Sequence, residues 1–142
     1  MLRAALLAAM LAGTAQATPQ LVMGRLVLAP GDWAVVRLDP ALGTSLVRFG
    51  DTARAAPLGA GELRARLSSS LDNQTLLVVE NATATPLDYD ASLLLANGET
   101  RAIQLCSLNS GGKPGYELWR SAMTSVSIGN FKPIGTLAMH CP

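Results

Sequence analysis

Beyond residue 17, apolar side chains recur at every second position in short runs separated by Gly, Pro, Asn and Asp. No other feature of the sequence constrains the fold as tightly. Successive side chains on a β-strand point to opposite faces, so such a run has one dry face and one wet face. A helix would need apolar positions three and four apart, a pattern nearly missing from this part of the chain. Residues 87–95 are the cleanest case, with Leu87, Tyr89, Ala91, Leu93 and Leu95 alternating against Asp88, Asp90 and Ser92.

The rhythm predicts strands over 21–28, 33–38, 44–49, 62–67, 76–79, 87–95, 100–108, 116–120, 124–131 and 136–141. Leu76, Leu77, Val78 and Val79 are apolar on both faces, which suits a strand inside a sheet rather than at its edge. Ala29, Pro30, Gly31 and Asp32 suit a type II turn, with Pro second and Gly third. Residues 50–61 carry neither period and read as a loop. Asn97 and Gly98 give the strongest hairpin signal. A two-residue turn there pairs Ala96 with Glu99 and sets Tyr89 opposite Cys106, leaving Ile103 and Leu105 on the wet face. A slip of one residue does the reverse, so the sequence leaves open whether Cys106 lies in the core or at the rim. Short strands without helical crossovers predict an all-β, antiparallel two-sheet sandwich. An immunoglobulin-like topology is the first choice, and a jelly roll or small barrel is the alternative.

The first 17 residues are of another kind. Met1, Leu2 and Arg3 precede the apolar run 4–12, and Ala15 and Ala17 supply the small residues that a signal peptidase accepts. Cleavage is expected after Ala17, because the run is under half of the roughly 20 residues that span a bilayer. Neither cysteine lies near that point to take a lipid. The mature chain of about 125 residues fits one domain with its own core and needs no transmembrane segment. A periplasmic or secreted location follows.

The formal net charge is +1, and loss of Arg3 leaves as many basic as acidic side chains. A nucleic-acid partner wants a basic surplus to displace counterions; only Arg64 and Arg66 stand close together, and they read as a solvated strand face. Cys106 and Cys141 are the only cysteines. In an oxidising compartment they are expected to pair, closing a loop of about 35 residues and contributing roughly 3 to 4 kcal/mol.

No catalytic or cofactor motif rises above background, and no cofactor is expected. The only histidine, His140, sits two residues from the end, with no G-x-S-x-G elbow to provide a nucleophile. Met139, His140 and Cys141 are soft ligands of the kind copper(I) prefers, with Met23 or Met123 as further thioethers. A copper-type metal carrier using Met139 and His140 is therefore the rival to a binding domain. Alternation on a strand opposes it by turning Met139 and Cys141 away from His140. Asp88 and Asp90 share a face and are expected to pair with Arg101. Gly111, Gly112, Lys113 and Pro114 lack the spacing and the following Ser or Thr of a phosphate loop.

Tyr116, Glu117, Leu118 and Trp119 follow a Gly-rich loop and bring together two of the few aromatics. They read either as core anchors, with Trp119 covered by Arg120, or as a patch of Tyr116, Trp119 and Arg120 that grips a protein or glycan. The sequons at Asn73 and Asn81 matter only in a eukaryotic pathway. The Ala- and Arg-rich, Lys-poor composition reads as bacterial, so they are taken as turn and strand residues.

The order of Cys106, a Gly-containing loop, Tyr116-Glu117-Leu118-Trp119, and then Val126-Ser127-Ile128-Gly129-Asn130-Phe131 resembles that of small exported proteins of Gram-negative bacteria. The resemblance covers the last third of the chain and implies a periplasmic address and a β-sandwich. It carries no activity to transfer. The expectation is a non-enzymatic binding or structural domain, with an envelope protein or a glycan as partner.

Overall fold

The computed structural model describes residues 17–142, and all but the last residue of the expected export segment 1–17 lies outside the described residues. Two antiparallel five-stranded sheets pack face to face as a sandwich. The first holds β1 (Gln20–Val22), β2 (Arg25–Leu28), β10 (Met123–Pro133), β7 (Leu87–Leu95) and β8 (Thr100–Gln104), in that order. The second holds β4 (Gly43–Phe49), β3 (Trp33–Asp39), β5 (Glu62–Ser69), β6 (Thr75–Asn81) and β9 (Pro114–Trp119).

The two-residue rhythm becomes the packing. Along β7 the alternate residues from Leu87 to Leu95 are buried, with partly covered polar or apolar neighbours between them. They meet Leu63, Ala65 and Leu67 of β5, and Leu77 and Val79 of β6, in one hydrophobic cluster. β6 pairs with β5 on one side and β9 on the other, as its doubly apolar sequence predicts. The turn at Pro30-Gly31 is type II, with the Asp32 N–H donating to the Ala29 carbonyl at 3.0 Å and Gly31 at φ 98°.

Several expectations are corrected. The strand predicted over 21–28 is a hairpin, because Met23 and Gly24 both take positive φ and turn the chain back on itself. The loop predicted over 50–61 contains a short helix, α1 (Asp51–Ala55), too brief for its period to show. The strand over 100–108 stops at Gln104, with one further bridge between Leu87 and Leu108. The last predicted strand, 136–141, is a single 3₁₀ turn at Thr136–Ala138 followed by an irregular tail.

The Asn97-Gly98 hairpin closes differently from a two-residue turn. Gly98 N–H donates to the Leu95 carbonyl, and Leu95 N–H to Glu99, each at 2.9 Å. Gly98 alone has positive φ, so three residues form a type I turn with a bulge at glycine. The register slips by one, Tyr89 faces Leu105 rather than Cys106, and Leu105 is buried. Cys106 is left at the rim, where it bonds to Cys141.

Gly115 lies where β9 crosses the core. A Cβ there would sit 2.7 Å from Leu108 Cδ2, and Leu108 is itself buried. We expect Gly115→Val to cost about 1 to 2 kcal/mol through overpacking, read as a lower urea midpoint. An unchanged midpoint would mean that Leu108 steps aside freely.

Candidate functional site

Two regions gather polar chemistry on opposite sides of the sandwich. On the first sheet, an open hollow of about 730 Å³ lies beside Asp88, Asp90, Asn130 and His140. Most of its polar groups find partners, while Lys132 on its lining has no carboxylate within ion-pair distance among the described residues. Asp88 accepts the Ser107 hydroxyl at 2.7 Å; Asp90 pairs with Arg25 at 2.7 Å and accepts from Asn130. The expected partner Arg101 binds Glu99 instead.

Ser107, His140 and Asp88 together invite comparison with a catalytic triad, in which the imidazole stands between hydroxyl and carboxylate. Here the carboxylate holds the hydroxyl directly, while one nitrogen, Nδ1 of His140, lies 3.5 Å from Ser107 Oγ and 3.9 Å from Asp88. That nitrogen also lies 3.0 Å from the Ala138 carbonyl. A carbonyl only accepts, so this contact is a hydrogen bond only in the tautomer with the proton on Nδ1, and in that tautomer Nδ1 takes no proton from Ser107. What the cluster does is anchor the tail: His140 N–H donates to Ser107 Oγ and Ser107 N–H to the His140 carbonyl, at 3.0 and 2.9 Å.

The metal-carrier reading gains nothing from this placement. Among the described residues, no three His, Cys, Asp or Glu side chains come together as a metal-holding group, and the Cys141 thiolate is taken up in the disulfide. Met23 stands exposed at the β1–β2 turn and Met123 is buried at the start of β10.

On the second sheet, β9 divides the predicted patch between two faces. Trp119 points inward and packs against the core, and the cation–π contacts of the described residues do not involve Arg120. Tyr116 and Leu118 point outward and are 62% and 56% exposed. Glu117 points inward at the rim, where it accepts the Cys106 N–H at 3.0 Å. Burial pushes the core-facing Tyr89 hydroxyl well above its ordinary pKa, and the Glu117 charge pushes it further. Tyr89 is thus a neutral core residue stacked on Phe131.

The outer face around Tyr116 holds residues that sequence reasoning missed. The strand register sets Trp33 beside Arg66, Arg66 beside Val78, and Val78 beside Tyr116, one row across β3, β5, β6 and β9. At about 4.8 Å per strand, the row runs about 14 Å. Arg66 and Arg54 both lie over the Trp33 ring, at 5.2 and 5.9 Å from its centroid. In the next row Arg64 forks onto Glu80 and donates to the Ala56 carbonyl below α1. Arg64 and Arg66 are therefore part of a built surface rather than a freely solvated strand face. Only the register reveals the row, because its members are far apart in sequence.

One carboxylate organises the neighbouring part of the same face. Glu62 is buried and pairs with Arg48 at 3.0 Å and Arg37 at 3.1 Å. It also accepts the Gly59 N–H at 2.6 Å, tying down the loop after α1. Burial alone would raise its pKa. The Gly59 N–H and the two guanidiniums outweigh that and hold it below the ordinary glutamate value.

The described residues contain no helix long and apolar enough to cross a membrane. Comparison with family models, with curated proteins and with solved structures returns no match to this chain.

Proposed function

We propose that the chain is an exported, non-catalytic binding domain of the periplasm that presents the outer face of its second sheet to another envelope macromolecule. The observation that carries this reading is the row from Trp33 to Tyr116, which opens into a groove of about 320 Å³. Trp, Tyr and Arg are the residues on which binding energy concentrates at interfaces. Tyr116 ends the row at the sheet edge in exposed form, with Leu118 exposed beside it on β9. By contrast, the carboxylates of the larger hollow on the first sheet are already engaged, Asp88 by Ser107 and Asp90 by Arg25 and Asn130.

Further support comes from the export-type N-terminus and the disulfide, which belong together in an oxidising compartment. The Ser107 cluster, whose carboxylate takes the hydroxyl directly and whose backbone bonds hold the tail, supports a tail anchor over a catalytic set. We infer an immunoglobulin-like interlock as well. The chain passes between sheets from β6 to β7 and from β9 to β10, while β6 pairs with β9 and β7 with β10, as strands B–C and E–F do in that layout.

A photo-crosslinking amino acid placed at Tyr116 in living cells tests the proposal, with the same probe at Thr100 on the opposite sheet as control. We expect a light-dependent adduct from position 116 and none from position 100. Adducts of equal yield from both, or none from 116, would remove the docking face.

A further inference from the structure

We infer that the groove between Trp33 and Tyr116 takes an acidic polysaccharide, a chain of carboxylate-bearing sugar rings. The inference rests on the binding-domain reading and adds the chemistry of the ligand.

Charge gives the first argument. Three guanidiniums line the groove, and the one carboxylate there, Glu80, is already forked by Arg64. Arg54 and Arg66 have no carboxylate within ion-pair distance among the described residues, although both converge on one indole. Two like charges gathered on one indole with no carboxylate beside them repel, and an anion seated there removes that cost. Guanidinium forks match a carboxylate with two parallel hydrogen bonds.

Shape and polarity give the second. The groove lies on the face of a sheet, where the backbone N–H and C=O groups are spent on neighbouring strands. Across β3, β5 and β6 a peptide main chain finds no partners, and extended peptides join β-proteins at edges, which this groove meets only at β9. What the face offers is flat surface: the indole edge, two guanidinium planes, a Val78 floor and the exposed Tyr116 ring at the far end. It is rich in donors and poor in free acceptors. The complementary ligand has flat rings, many acceptor oxygens and a negative charge at intervals, which describes a polyuronate.

Isothermal titration of the full protein with polygalacturonate, a neutral glucan and poly-L-glutamate of matched charge decides the matter. We expect polygalacturonate alone to bind, with affinity that falls as salt rises. Arg54→Gln with Arg66→Gln should weaken it about tenfold or more, and Tyr116→Ala should weaken it with the thermal midpoint unchanged, since the ring is exposed. If the double variant is destabilised, Arg66→Lys, which keeps the charge but loses the fork, should still weaken binding. Equal binding of the glucan would show that charge is irrelevant, and equal binding of poly-L-glutamate would make the partner an acidic polypeptide. Either result overturns the inference, as does no binding at all. In that last case an intact adduct at position 116 would leave the docking face standing and remove only the sugar.

Discussion

Replacing Cys106 and Cys141 together by serine is expected to lower the unfolding free energy by about 3 to 4 kcal/mol. The bridge spans 35 positions of sequence, and that interval contains both β9 and β10. β10 lies between β2 and β7, so its unfolding would split the first sheet. Without the bridge the denatured chain regains the freedom of that whole interval. For a chain of this size such a loss moves the midpoint down by roughly 10 to 20 °C. The folded state changes less, because the Ser107–His140 hydrogen bonds and the Ile134 N–H to Pro86 carbonyl bond at 3.0 Å still hold the tail. Calorimetry with and without reductant reads the difference directly. A shift of under about 3 °C would mean the bridge restrains only a frayed end and that the loop-entropy account does not apply here.

Glu62→Gln is expected to cost about 2 kcal/mol, and Glu62→Ala about 3 kcal/mol. The amide keeps an oxygen for the Gly59 N–H but gives up the charge that both Arg37 and Arg48 face. Alanine also gives up the volume and releases the loop. These figures fall below those for a fully buried pair, since the Arg37 side chain is 53% exposed and water can take over its charge. The same carboxylate makes stability depend on pH. Its folded pKa is depressed, so its contribution is complete above the ordinary glutamate value and drains away as pH falls through the lower folded value. The native chain should therefore lose stability on acidification below about pH 4, and Glu62→Gln should lose less over that interval. Parallel acid titrations of the two, followed by fluorescence, test this. Identical pH profiles would assign the acid sensitivity to other carboxylates.

Loss of stability in these variants is separable from loss of binding, because Glu62 and the disulfide lie outside the row that runs from Trp33 to Tyr116. A variant at Tyr116 touches neither. That separation matters for the polyuronate titration, in which the binding-deficient protein has to remain folded.

What could be read from residues alone followed from local physics. Alternation from Leu87 to Leu95 dictated which face of β7 is dry, Pro30-Gly31 dictated a type II turn, and the two cysteines dictated a single bridge. The sandwich of antiparallel sheets came from the same rhythm repeated along the chain. Each of these depends on neighbours within a few residues, or on the chemistry of the only available pair.

Tertiary structure decided the rest. The loop after β7 can close with two residues or three, and a difference of one residue turns over every side chain of β8, moving Leu105 into the core and Cys106 to the rim. Alternation already puts Tyr116 and Trp119, three apart on one strand, on opposite faces, but only the packing decides that Trp119 takes the dry one. The groove itself needs Trp33, Arg66, Val78 and Tyr116, which come from four strands. Local alternation specifies which way a side chain points, but pairing register specifies whom it meets, and register is set only when the whole sheet assembles around its core.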